Sequence, residues 1–240
     1  MKDWSNNVPP WTNQYDVKSR TDVQDCASES IINVIYMLTG FDASPRALAK
    51  LSGTTLQGNS TTNILNTINK YGLIPYELWP TPEDFDWIDY YAPIPQEVLN
   101  RAVPCQISLV AASLDVSPLW TEIAWGLNLP VATRHMVAQL NETEYFDSEQ
   151  GSPIKPLNYE GAEIVYQTSL NVKLMITCKT VKFADGKTMG MLIDSPNGCQ
   201  IIKATDEAQW RSWNLSTGYG KPTVNPDGTT NWEAELTLNF

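Results

Sequence analysis

The 240-residue chain contains one histidine and four cysteines, so any chemistry that needs an imidazole must use His135. His135 opens an apolar run, HMVAQL, and Asp147 follows it closely in YFDS. Far upstream, Cys26 sits in DCASES directly before IINVIYML, a pattern that predicts a helix with the cysteine in its first turn. The chemistry open to these three groups is attack of a thiolate on a carbonyl. A free thiol, with a pKa of about 8.5, is mostly protonated at neutral pH and needs support for its anion. A helix amino terminus supplies partial positive charge, and a neighbouring imidazolium supplies a full one. His135 would then carry the proton to the leaving group, with Asp147 fixing the ring's tautomer and orientation.

These roles require particular elements. A strand holding His135, a turn at Asn141, Glu142 and Thr143, and a second strand ending at Asp147 would form a hairpin that brings both residues to one end. Helices are expected at 26–39, 44–51 and 61–71, with Ser44 as N-cap, Pro45 at the first helical position and Gly72 past the end of the third. Residues 105–111 read as a strand, 118–127 as a short helix, and 131 as the start of another strand. Residues 1–20 are polar, carry Pro9 and Pro10, and read as an extended arm across the body. The Trp/Pro/acid-rich stretch at 79–91 is too irregular for regular structure and reads as packing over the core, with the lining of a substrate cleft as the alternative.

Residues 21–40, TDVQDCASESIINVIYMLTG, resemble the nucleophile helix of the bacteriocin-processing (double-glycine leader) peptidases, a papain-like group. Residues 44–54 (SPRALAKLSGT), 58–65 (GNSTTNIL) and 70–73 (KYGL) resemble, in order, that family's second helix, Gly-Thr turn and third helix. LPV at 129–131 with HMV at 135–137 is similar to its strand pair leading to the catalytic histidine, and YFDS at 145–148 to its Ile-Asp-Pro segment. The resemblance covers roughly residues 15–157. It implies an α+β fold: a papain-like cysteine peptidase core of N-terminal helices and a C-terminal antiparallel sheet, with Cys26, His135 and Asp147 as catalytic residues.

There are departures. The family's oxyanion-hole glutamine would fall at Arg20; the nearest substitute is Gln24, acting with the Cys26 backbone N–H, and Ala27 replaces the glycine that follows the nucleophile. A second register, over the papain Gln-Gly-x-Cys-Gly-Ser-Cys segment, would put Glu29 at the nucleophile position and leave a dead peptidase. Taken singly, Cys26 reads as a small core side chain, His135 as a hydrogen-bonded strand residue and Asp147 as a turn former. Only their order and separation point to a site.

Hydrophobic residues make up 42% of the chain and aromatics 10%, which is ample for a folded core. A net charge of -11 argues against nucleic acid and anionic membranes as partners. No segment approaches the length of a membrane span, and the first residues lack the apolar core of a signal peptide. The expected location is therefore the cytoplasm or a particle such as a virion. Cys105, Cys178 and Cys199 lack metal-ligand spacing and read as core thiols, so neither metal nor cofactor is expected.

The expected organisation is an arm at 1–20, the peptidase-like domain at 21–157 and a β-rich extension at 158–240, with strands at 162–166, 172–178, 188–194 and 199–203 and a short helix at 205–213 capped by Thr205. The extension has the look of a module that docks on a protein partner and is similar to appended domains of bacteriophage structural proteins. Three functions are consistent with this pattern. The first is thiol-dependent hydrolysis of a peptide or protein substrate, the second an inactive peptidase-like binding or assembly module, and the third a thiol acyl transferase.

Overall fold

The central helix α1, Cys26–Thr39, is buried along almost its whole length. The computed structural model describes residues 2–9, 23–82, 85–150 and 152–175, together with the backbone of the strands at 177–182, 189–195, 198–203, 223–224, 230–231 and 235–237. A helix apolar all round must lie inside a domain. α1 does so, packing Ile31, Ile32, Val34, Ile35 and Met37 into a core with Trp120, Phe146, Leu170, Val172 and Leu174. Two of its polar side chains are satisfied locally. Ser30 Oγ accepts the Trp120 indole N–H at 2.7 Å, and Thr39 Oγ1 donates to the Ile35 carbonyl at 2.7 Å.

Two shorter helices, α2 (Pro45–Ser52) and α3 (Thr61–Tyr71), follow, the first with the Ser44 cap that the sequence predicts. Ser44 Oγ accepts from the Ala47 N–H at 3.0 Å, and Ser60 Oγ from the Asn63 N–H at 3.2 Å. At Gly72 the chain turns with φ +77°, and a Cβ there would lie 2.3 Å from the Val103 carbonyl oxygen, so both conformation and space demand glycine. One-turn helices α4 (Trp87–Tyr90) and α5 (Gln96–Leu99) lie in the connection to the sheet. The stretch expected to be irregular thus contains a helical turn, capped by Asp86, whose carboxylate accepts from the Asp89 N–H at 2.8 Å. Phe85, Tyr90 and Tyr91 are buried in a cluster with Val23 and Ala49.

The strands β1 (Cys105–Val110), β2 (Leu119–Trp125), β3 (Thr133–Gln139), β4 (Tyr145–Asp147), β5 (Ser152–Lys155) and β6 (Glu163–Leu174) form one antiparallel sheet in the order β1-β6-β2-β3-β4-β5. The fold is therefore mixed α+β, with a six-stranded sheet and a few helices. The edge strand β1 is partly closed off by Asn69 of α3. Its side-chain amide donates to the Ile107 carbonyl at 3.0 Å and accepts the Ile107 N–H at 2.9 Å, standing in for a strand partner. A second sheet contains β7 (Thr177–Lys182), β8 (Met189–Ser195) and β9 (Gly198–Lys203), with β12 (Glu235–Thr237) beside β7; β10 (Thr223–Val224) and β11 (Thr230–Asn231) pair separately.

Several expectations are corrected. In place of the helix expected at 118–127, Leu119–Trp125 form strand β2, because β2 lies between β3 and β6 and is buried on both faces, which erases the alternation that marks a strand. The strand expected around Val131 is a turn between β2 and β3, with Val131 81% exposed. β6 runs between β1 and β2, and the change of sheet falls between Leu174 and Thr177. The described part of the arm is a 3-10 turn, Ser5–Asn7, pinned by buried Trp4, whose indole N–H donates to the Leu114 carbonyl at 2.8 Å. The rest of the arm and the helix expected at 205–213 lie outside the described residues. Among the described residues no helix is long and apolar enough to cross a membrane.

Candidate functional site

Cys26 is the first residue of α1 and is half-buried. Its helix lacks a side-chain N-cap. Asp25 occupies the cap position, yet its carboxylate accepts the Tyr90 hydroxyl instead of a first-turn N–H. Tyr91 holds the same loop, donating its hydroxyl to the Val23 carbonyl at 2.6 Å, and buried Arg46 of α2 fixes the tyrosine segment by donating from Nε to the Tyr90 carbonyl at 2.6 Å. The cysteine therefore starts its helix from a loop clamped by two tyrosines, with the Asp25 carbonyl accepting from the Ser28 and Glu29 N–H groups while its carboxylate makes no cap bond. Gln24 in this loop has φ +55°, a left-handed conformation that costs a non-glycine residue on the order of 1 kcal/mol.

His135 and Asp147 come together through the β3–β4 hairpin. Asn141 closes its turn, its Oδ1 accepting from the N–H groups of Thr143 at 3.0 Å and Glu144 at 2.9 Å. The pairs Gln139↔Tyr145 and Ala138↔Phe146 set the register, and the next step places Asp147 diagonally across from His135 on one face. His135 Nε2 donates to Asp147 Oδ1 at 2.9 Å, and both side chains are almost fully buried. Asp147 is saturated: Oδ1 also accepts the Glu149 N–H at 3.0 Å, while Oδ2 accepts from Gln150 Nε2 at 3.0 Å and the Tyr159 hydroxyl at 3.1 Å.

The electrostatics follow from this geometry. Burial favours neutral His135, but its hydrogen bonds to Asp147 and Cys26 and the charges of both outweigh burial and lift the imidazole well above its ordinary value. Burial also opposes the charge on Asp147, and here His135 and the other donors prevail, holding the carboxyl below its ordinary range. Because Nε2–H is committed to Asp147, Nδ1 is the nitrogen left to exchange a proton with the thiol. Trp125 and Tyr159 stack on each other with centroids 4.4 Å apart, and both meet the imidazole edge-on, at 6.0 and 5.8 Å. This wall restricts water around the ring.

The structure thus unites Cys26, His135 and Asp147 and sets Gln24 two residues before the thiol; Arg20 lies outside the described residues. Glu29 is buried on α1, one turn beyond Cys26. Cys105 is a core thiol, pushed up to about 12 by burial. The side chains of Cys178 and Cys199 lie outside the described residues. Among the described residues no three His, Cys, Asp or Glu side chains converge to hold a metal.

Sequence reasoning missed Glu149, Gln150, Tyr159 and Trp125. Glu149 and Gln150 carried a local signal, since an aspartate opening a turn accepts from the N–H two residues on. Tyr159 and Trp125 reach the site only through sheet topology. No protein-family model, no curated protein and no solved structure matches the chain.

Proposed function

We propose that the chain is a thiol peptidase with a papain-like core, in which Cys26 is the nucleophile, His135 the proton carrier and Asp147 the orienting group. The observation that carries this reading is the buried His135–Asp147 pair in contact with a cysteine at the start of a helix. Cys26 gives its proton to His135 Nδ1, and the thiolate is favoured by the imidazolium and the α1 terminus. Its sulfur attacks the scissile carbonyl, and the oxyanion is received by the Cys26 N–H with Gln24 as second donor. Protonated Nδ1 then releases its proton to the leaving amine, leaving a thioester. Water, deprotonated through the same nitrogen, hydrolyses the thioester and restores the thiol.

The test is to incubate the full chain and its Cys26→Ala variant with a mixed peptide pool and follow new termini by mass spectrometry. New amine and carboxylate ends at defined bonds, lost in Cys26→Ala and after iodoacetamide treatment, support the proposal. Products that incorporate an added amine at an acyl group would instead identify a transferase. Cleavage undiminished by Cys26→Ala, or none from any pool, would contradict a thiol peptidase.

A further inference from the structure

Two carboxylates face His135, one at each ring nitrogen. Asp147 Oδ1 lies 2.9 Å from Nε2, and Glu149 Oε1 lies 3.7 Å from Nδ1. They act on different events. Asp147 accepts the Nε2–H in both protonation states of the ring and so fixes the tautomer. Nδ1 changes protonation, and Glu149 is the carboxylate that meets it: a bare Nδ1 lone pair is repelled and an Nδ1–H is attracted. At 3.7 Å this is an interaction of charges rather than a formed hydrogen bond.

Glu149 is held in place for this role. Its backbone N–H donates to Asp147 Oδ1 at 3.0 Å, so both acids are tied into one turn, and its Oε2 lies 3.3 Å from the Tyr159 hydroxyl, which also serves Asp147. Its side chain is 32% exposed, against 2% for His135 and 1% for Asp147. Solvent therefore reaches the pair on the Glu149 side.

We propose that Glu149 is a positioning residue for His135, a second carboxylate that stabilises the proton on Nδ1 and so sets the pH range over which the Cys26–imidazole ion pair exists. The proposal rests on the reading of Cys26, His135 and Asp147 given above. Among the described residues the ionisable groups around the ring are Cys26 from α1, Asp147 from β4, Glu149 from the turn after it and Tyr159 from beyond β5. β2 contributes uncharged Trp125, and Arg134, the neighbour of His135 on β3, is engaged with Glu122 at 3.0 Å.

Because the chain has one histidine, its ring nitrogens can be followed by NMR without ambiguity. The experiment is the titration of 15N-labelled His135 in the full chain, in Glu149→Gln, in Glu149→Asp and in Glu163→Gln as an exposed acid two strands away on β6, each with and without Cys26→Ala to uncouple the thiol. Expected is a fall of roughly half a unit to one unit in the Nδ1 protonation midpoint in Glu149→Gln, given a charge pair near 4 Å that is partly screened by solvent. Glu149→Asp should recover part of that shift, and Glu163→Gln should show none. The Nε2–H signal should persist throughout, showing the ring still on Asp147. An unshifted midpoint in Glu149→Gln, or loss of the Nε2–H signal there, would overturn the Glu149 role while leaving the triad standing. A midpoint unaffected by Cys26→Ala in the otherwise native chain would remove the thiol–imidazole pair, and the Glu149 proposal with it.

Discussion

Asp25 and Asp147 are both buried carboxylates that accept a tyrosine hydroxyl, from Tyr90 and Tyr159 respectively, yet they do different work. Asp25 belongs to the loop that launches α1. Its partner Tyr90 is fully buried, and burial together with the Asp25 charge pushes that phenol well above its ordinary value, so the tyrosine keeps its proton in the range where proteins operate. Asp147 shares its second oxygen with an imidazole that meets a thiol. A carboxylate–tyrosine pair is a clamp, and the same carboxylate with an imidazole becomes a device for moving a proton. The clamp fixes where Cys26 stands, and on the proposed reading the imidazole pair is what receives its proton.

The contrast breaks most clearly at Asp147. Asp147→Asn removes the charge that supports the imidazolium and should lower the rate of Cys26 alkylation at pH 6 by roughly ten- to a hundredfold, since each unit of pKa changes the thiolate fraction about tenfold. A rate within twofold of the wild type would contradict the proton-moving role. At the clamp the effect belongs to stability. Tyr90→Phe leaves a buried carboxylate without its hydroxyl donor and should cost about 2–3 kcal/mol in chemical denaturation. Tyr159→Phe should cost only about 1 kcal/mol, because Asp147 keeps its bonds from His135, Glu149 and Gln150. Equal losses would erase the distinction.

The pH dependence of stability sharpens the same comparison. The Asp147 carboxyl is lowered from 3.8 in the folded chain, so its contribution is present above that value and is lost as pH falls through the depressed folded value. His135 is raised from 6.5, so its contribution is present below that value and is lost as pH rises through the raised one. Denaturant midpoints measured from pH 2 to 9 should show both limbs in the wild type. Asp147→Asn should lack this carboxylate's share of the acid limb, and a superimposable acid limb would refute the linkage. The smallest effect lies away from both sites: Ser60→Ala removes an exposed helix cap and should cost about 0.5–1 kcal/mol with no change in Cys26 reactivity.

Part of what is written in local contacts is legible in the sequence. Ser44 and Pro45 mark a helix start because capping is a contact within one turn, and Asn141 marks the hairpin because its side chain bonds its own turn. His135 and Asp147 were legible as a pair for that reason, being joined by a short hairpin. β2 was not, because Leu119, Trp120, Thr121, Ile123 and Ala124 are all buried and a doubly covered strand has no period. The placement of β6 between β1 and β2 is a long-range choice written in no local pattern. Tyr159 and Trp125 depend on it, and so does the wall around the imidazole.

The central claim is that Cys26 and His135 form an activated pair, and the most direct measurement is the rate of Cys26 alkylation by iodoacetamide against pH, in the wild type and in His135→Ala, read by peptide mass spectrometry. Cys105, buried and pushed up to about 12, serves as the unreactive internal reference. The account predicts rapid labelling of Cys26 persisting well below pH 8 and slowed at least tenfold at pH 6 by His135→Ala. Labelling with the profile of an ordinary thiol, unchanged in His135→Ala, would contradict it.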